Sequence, residues 1–319
     1  MNSPIMIACA HGTSSPLGGA EVNGLRAEIS ALRPGLDVRE AYVDVQDPDL
    51  VDVMAGLPEG EQAVIVPLLL SVGFHTKVDI AKAARSREGS TASEPLGPDP
   101  RLAEILDQRL REAGATEHDA VVLAAAGSTN PKAAVSVEEL AEHLRALRGN
   151  RIVPAYGAAA KPSVPDAVAS LRAEYPGEGQ GRVIIASYLL AHGFFHDQLA
   201  KAGADVVTEP LLPSRLMAEI ALDRYDAAVA RGREAAAESA AGEAAAESAA
   251  AAPTSAPTAA PASAPASAPA SAPASAPAAA PAAAPAKTPS PAPEATPNHA
   301  QPKGFFKAFR RFMTKYFPR

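Results

Sequence analysis

The strongest constraint on this chain is that most of its first 230 residues are written twice. "AHGTSSP" at positions 10–16 is answered by "AGSTNP" at 126–131, and His11 meets Ala126 at a separation of 115. "EPLGPDPRLAEIL", starting at Glu94, is answered by "EPLLPSRLMAEIA", starting at Glu209, again 115 apart. "EAYVDVQDP" and "PAYGAAAKP" match at 114, with Pro48 opposite Pro162; "PLLLSVGFH" and "SYLLAHGFFH" match through Gly73 and Gly193 at 120. Four matches in one order at nearly one offset mean two homologous segments of about 115 residues, which must fold alike and pack against each other.

Each copy alternates short apolar runs with amphipathic stretches. Strands are predicted over 5–10, 38–45, 63–70, 120–125, 151–156 and 182–190, and helices over 20–32, 101–112, 135–147 and 216–229. Strands alternating with helices predict an α/β chain of two halves, each a parallel sheet flanked by helices. Ligands of such sheets lie beyond the carboxyl ends of the strands. His11 stands at the end of the first run, Asp44 near the end of the second and His75 beyond the third. Neighbouring strands lie about 5 Å apart, so these side chains can converge on one point. Two imidazoles and a carboxylate suit a divalent metal with open positions, and neutral imidazole also accepts protons near pH 7.

The second copy lacks this chemistry. Ala126 replaces His11 and Ala158 replaces Asp44; around His75 the second copy reads Phe194-Phe195-His196, with one apparent extra residue. One kept site and one emptied site is the pattern the duplication shows. His192 and His196 are candidates either for touching a ligand from the second half or for capping a helix. Thr13 and Ser14 are most simply helix caps, with carboxylate binding as the sharper alternative. Cys9 lies inside a strand and reads as a small buried hydrophobe.

"AHGTSSP" together with "PLLLSVGFHTKVDI" resembles the class II metal chelatases, specifically the sirohydrochlorin chelatase family. The resemblance rests on His11-Gly12 after the first strand and on Gly73-Phe74-His75-Thr76-Lys77-Val78-Asp79-Ile80 after the third, and it covers roughly residues 4–230. It implies that His11 and His75 bind and deliver the metal, with Asp44 at the place of the family's glutamate and Asp47 as a substitute. It implies the reaction too: a divalent ion, Fe²⁺ or Co²⁺, enters sirohydrochlorin without ATP, toward siroheme or cobalamin. The chain has no GxxxxGK[ST] sequence, in keeping with an ATP-independent step. No cofactor beyond the substrate ion is implied. Gly12, Ser14, Gly73, Lys77 and His196 are the candidate substrate contacts, with Lys82 and Arg85 nearby. The alternative reading is a metal or tetrapyrrole carrier that binds without turnover. A histidine phosphatase is disfavoured, because Ala10 stands where an arginine should precede His11.

Four segments are expected: a site-bearing half over 1–115, a degenerate half over 116–230, an Ala/Glu then Ala/Pro-rich linker over 231–302, and a basic amphipathic helix over 303–319. In the linker, proline recurs at every fourth position from Pro253 to Pro289, a pattern suited to extended polyproline II. The terminal segment holds five of the eight phenylalanines beside Lys307, Arg310, Arg311 and Lys315, and is expected to dock on an anionic membrane surface or in a partner groove. The chain's formal charge is −7. Residues from Arg231 onward carry nine basic and five acidic groups, leaving 20 basic against 31 acidic in the first 230. An acidic body argues against a nucleic-acid partner. A single cysteine, no signal-peptide pattern and no long apolar run predict a cytoplasmic protein, with peripheral membrane association through the terminal helix.

Overall fold

A computed structural model of the chain describes residues 3–71, 74–174 and 181–250; the side chains of 74–76, 240 and 242–250 lie outside that description, as do 251–319 with the expected proline-rich linker and terminal helix. Two four-stranded parallel sheets form. The first is built from β1 (Ile5–Ala10), β2 (Val38–Tyr42), β3 (Ala63–Pro67) and β4 (Thr91–Ala92), in the order β2-β1-β3-β4. The second uses β5 (Ala120–Ala125), β6 (Ile152–Tyr156), β7 (Val183–Tyr188) and β8 (Val206–Val207), in the equivalent order β6-β5-β7-β8. The crossovers carry α1 (Pro16–Leu32), α2 (Leu50–Ala55) and α3 (Phe74–Arg85) in the first half, and α5 (Pro131–Leu147), α6 (Val164–Glu174) and α7 (Phe194–Leu199) in the second; α4 (Arg101–Glu112) and α8 (Arg215–Ala250) close the halves.

The strands are buried on both faces, as parallel sheets require. Met6, Ala8 and Ala10 of β1 face a central core shared by both halves and filled by α1, α4, α5 and α8; Ile5, Ile7 and Cys9 face an outer layer with Leu50, Met54 and Ile80. The second sheet repeats this, with Val121, Leu123 and Ala125 inward and Ala120, Val122 and Ala124 outward. Helix α1 shows why these segments are helical. Ser15 caps it by accepting from Gly18 N, Pro16 opens it, and Val22, Leu25, Arg26 and Ile29 form its buried stripe. The cap is thus Ser15 rather than Ser14; Thr13 helps by accepting from Ser15 N at 3.1 Å.

The halves exchange arginines. Arg109 of α4 donates to the carbonyls of Pro210, Leu211 and Pro213 at 2.8, 3.2 and 2.6 Å. Arg224 of α8, its equivalent 115 residues later, donates to those of Pro95, Leu96 and Pro98 at 2.8, 3.1 and 2.8 Å. Each last helix therefore satisfies the other half's final loop, as an isologous interface does.

Local differences explain the shifting offset. Helix α6 has 11 residues where α2 has six, and eight residues rather than seven separate it from the next strand, which carries the separation from 114 to 120; α7 has six where α3 has 12, and six residues rather than five separate it from the next strand, which brings it back to 115. The ladder settles the region after the third strand. Cys9 pairs with Pro67, and Ala124 pairs with Ser187; α3 starts at Phe74 and α7 at Phe194. Both connections have the same length, so the extra residue expected there does not exist. Phe195 stands at the place of His75, and His196 at that of Thr76.

Candidate functional site

His11 directly follows β1, which lies between β2 and β3 at the point where the strand order reverses. The turn that carries it allows no side chain at the next position. Gly12 has φ +97°, and a Cβ there would lie 2.0 Å from Asp44 O. Gly127 repeats the arrangement, with φ +91° and 1.8 Å to Ala158 O. The duplicated glycine is therefore a structural need of the turn, whichever residue precedes it.

The His11 side chain is exposed, and no described side chain hydrogen-bonds its ring. It opens on a cleft of about 380 Å³. One wall is Ala10, His11, Gly12, Thr13, Ser14, Tyr42, Val45 and Gln46 from the first half, and the other runs over 189–196 from the second. The two walls meet closely: a Cβ on Gly18 of α1 would lie 2.1 Å from His192 O. Among the described residues lining the cleft there is no lysine or arginine.

The histidines of the second half differ from His11 in that their rings are engaged. His192 Nδ1 lies 2.7 Å from Glu21 Oε1, and its Nε2 lies 3.1 Å from Glu209 Oε2, while its backbone N–H donates to Glu21 Oε2 at 2.8 Å. His196 Nε2 lies 3.1 Å from Thr208 O. Glu21 is on α1, so His192 clasps one half to the other beside the cleft. An exposed ring with no hydrogen bond to a described side chain suits a ligand role, and rings already bonded to neighbouring groups suit the wall.

Of the residues singled out in the sequence, His11, Gly12, Ser14 and His196 share this cleft. Asp44 is not among its lining; its Oδ1 accepts from Val45 N at 2.8 Å, and Gln46 faces the cleft in its neighbourhood. Asp47 is exposed, and Lys77, Lys82 and Arg85 are exposed on α3. His75 falls in the first turn of α3, with its side chain outside the described residues; Gly73 lies outside them altogether. Among the described residues no group of three His, Cys, Asp or Glu is gathered to hold an ion. Cys9 is fully buried, and burial pushes its thiol up to about 12, which removes it as a thiolate ligand at neutral pH. Sequence reading missed Gln46 and the clasp of Glu21, His192 and Glu209.

The matching strand ends of the second half also frame a cavity, of about 220 Å³. It is lined by Ala125, Ala126, Gly127, Tyr156 and Tyr188, among others, and shares Leu68, Leu69, Leu189 and Leu190 with the cleft. Among the described residues lining it there is no His, Asp, Glu, Lys or Arg.

Comparison with known proteins points the same way. The CbiX family profile matches twice, over residues 5–113 and 120–228. A sirohydrochlorin cobaltochelatase of Sulfurisphaera tokodaii is 33% identical over 86 residues, which span 25% of this chain and 72% of that protein. A sirohydrochlorin ferrochelatase of Priestia megaterium is 28% identical over 145 residues, 42% of this chain and 53% of that protein. Among solved structures, SirB from Bacillus subtilis with Fe³⁺ matches the fold with a TM-score of 0.58 at 17% identity, covering 70% of this chain and 94% of that one. No helix among the described residues is long and apolar enough to cross a membrane.

Proposed function

The chain belongs to the CbiX family, matching it once in each half, and on that premise we propose that it is a sirohydrochlorin chelatase acting through its first half. The observation that carries this reading is the exposed imidazole of His11 on a cleft walled by both halves, against Ala126 in a cavity whose described lining holds no histidine or carboxylate. The macrocycle occupies the cleft, and Fe²⁺ or Co²⁺ is a substrate. His11 and His75 take the ion from water, with Asp44 or Asp47 as the carboxylate. An imidazole with a free lone pair binds a first-row ion and lets other positions stay open. As the macrocycle's nitrogens replace water, two N–H protons must leave it, and neutral imidazole is a competent acceptor. Ion and protons exchange one for two, so the step balances without an oxidant, and it is read as independent of ATP because the chain has no GxxxxGK[ST] sequence. His196 and Ser14 contact the macrocycle from opposite walls, with Gly12 beneath, and Lys77 offers a cation to its carboxylates.

The relatives are named for cobalt and for iron. Nitrogen and oxygen donors do not choose between these ions, so preference follows geometry and supply. Iron would place the step in siroheme synthesis and cobalt in cobalamin synthesis. The segment over 303–319 is read as a docking element apart from the reaction, and a chain ending at residue 250 should keep full turnover in solution.

The test is to mix the purified protein with sirohydrochlorin and each ion and to follow the visible spectrum. Turnover well above the spontaneous rate with Fe²⁺ or Co²⁺ is expected. Absence of acceleration with every divalent ion defeats the proposal, and stoichiometric binding without cycles would replace it with a carrier.

A further inference from the structure

The bend after β2 is built twice, and the second copy works as a control for the first. In the first half Val43 N donates to Ala10 O at 3.1 Å, Asp44 N to His11 O at 3.0 Å and Gln46 N to Asp44 O at 2.8 Å. In the second, Gly157 N donates to Ala125 O at 2.8 Å, Ala158 N to Ala126 O at 2.9 Å and Ala160 N to Ala158 O at 2.8 Å. Val45 and Ala159 share the left-handed conformation, at φ 69° and 60°. Main-chain bonds therefore keep the path, and Ala158-Ala159-Ala160 keeps it with nothing beyond Cβ. The first half nevertheless carries Asp44-Val45-Gln46, and these side chains owe their presence to something other than the shape of the bend.

Gln46 makes a bond that has no counterpart among the described residues of the second half. Its Oε1 accepts from Thr13 N at 2.8 Å, tying the bend to the turn two residues beyond His11. The neighbouring capping bonds are conserved between the copies. Ser15 N donates to Thr13 Oγ1 at 3.1 Å, and Asn130 N donates to Ser128 Oγ at 3.1 Å. Ser15 and Asn130 then cap α1 and α5. The helix starts are thus equally secured; what the first half adds is the cross-loop bond, beside the imidazole that the second half lacks.

We propose that Gln46 is a positioning residue for His11, holding the turn so that the imidazole meets the ion without first having to be ordered. This rests on the reading of His11 as a metal ligand. A partly buried hydrogen bond contributes about 1 kcal/mol net, so its loss should weaken ion binding by about five- to tenfold. Residues that orient metal ligands act on this scale or above it.

The experiment uses the full chain with Gln46→Ala, Gln46→Met and Gln46→Glu. Co²⁺ binding is read by titration calorimetry without tetrapyrrole, and the KM for Co²⁺ at saturating sirohydrochlorin. Gln46→Ala and Gln46→Met should weaken Co²⁺ binding and raise that KM about five- to tenfold, with kcat nearly unchanged and the unfolding temperature lowered by no more than about 4 °C. Gln46→Glu keeps an acceptor for Thr13 N and should bind Co²⁺ at least as tightly as the parent. Parent-like binding by Gln46→Ala or Gln46→Met overturns the proposal, and so does a loss in Gln46→Glu equal to theirs. Because binding is read without turnover, a chain that holds Co²⁺ yet inserts none would sink the chelatase reading and still decide the role of Gln46.

Discussion

The two halves of this protein share a backbone and differ in what they place on it. Both have the strand order, the glycine turn, the left-handed bend and the arginine that reaches across. At the strand ends the first half offers His11, Asp44, Gln46 and His75, and the second offers Ala126, Ala158, Ala160 and Phe195. The shared set is what the fold requires, since each member satisfies backbone groups or avoids a clash. The unshared set can be deleted without losing the fold, because the second half has deleted it. Comparing a duplicated chain with itself thus separates structural from chemical residues without any other sequence.

The contrast also runs the other way at the start of β5. Asp119 is buried and accepts from Arg182 N at 2.7 Å, Arg182 Nη2 at 2.9 Å, Thr116 N at 2.7 Å and Thr116 Oγ1 at 3.1 Å. Its place in the first half is Pro4. Burial by itself would raise the Asp119 carboxyl, but the hydrogen bonds from Arg182 and Thr116 outweigh it and hold the group well below the usual carboxylate range. At this position the second half, poor in chemistry at its strand ends, holds an ion pair where the first has a proline.

Four measurements would break or sharpen this comparison. The largest effect belongs to His11→Ala, which gives the first half the second half's residue. Chelatase activity should fall at least about 100-fold, the scale of losing a group that meets the reacting atoms, while His196→Ala should keep most of it; steady-state assays of both variants check the asymmetry, and equal losses would erase it. Next, Arg109→Ala and Arg224→Ala should each destabilise the protein by about 3 kcal/mol, since each strands three carbonyls. Denaturant unfolding should give matching values, because the exchange is symmetric; a twofold disparity would show that the halves depend on it unequally.

Asp119→Asn should cost about 2 kcal/mol at pH 7. The folded pKa lies below the unfolded value of about 3.9, so the stabilisation is complete above the unfolded value, declines as pH falls below it and is lost only as pH falls through the folded pKa. Stability curves of parent and variant should therefore draw together as pH falls below about 4; curves that stay parallel there would refute the assignment. The smallest effect is expected at the bends. Val45→Gly and Ala159→Gly each relieve a left-handed non-glycine residue and should raise stability by up to about 1 kcal/mol, more at the β-branched Val45. Thermal unfolding checks this, and a loss at either site would mean that its side chain contributes more than its strain costs.

Much of the fold was legible because it is repetitive. The strands over 5–10 and 120–125 and the helix over 101–112 were placed to the residue. Helices α2, α3, α6 and α7 and the two-residue strands β4 and β8 carried no expectation; α2 and α7, with six residues each, are too brief for a clear periodic stripe. The strands expected over 38–45, 63–70 and 182–190 end at Tyr42, Pro67 and Tyr188, although the apolar runs continue through Val43, Leu68 and Leu189, which are buried or half-buried beyond the strand ends. At the site, His11 was visible from its place at a strand end and its loss in the second copy. Gln46 carried no signal of its own, since a lone glutamine in a loop matches any solvated turn, and only its alignment with Ala160 could have exposed it.

By itself the sequence determined the duplication, the parallel α/β class and the half that keeps an imidazole, because these depend on residue order and on periods of two and 3.6 that the backbone imposes locally. Only the tertiary structure decided that Phe195 stands in place of His75, that His192 is held by Glu21 and Glu209, and that Gln46 grips Thr13. Those outcomes join groups from 17 to 171 residues apart, and a distance set by the packing of whole helices is not written in any local pattern.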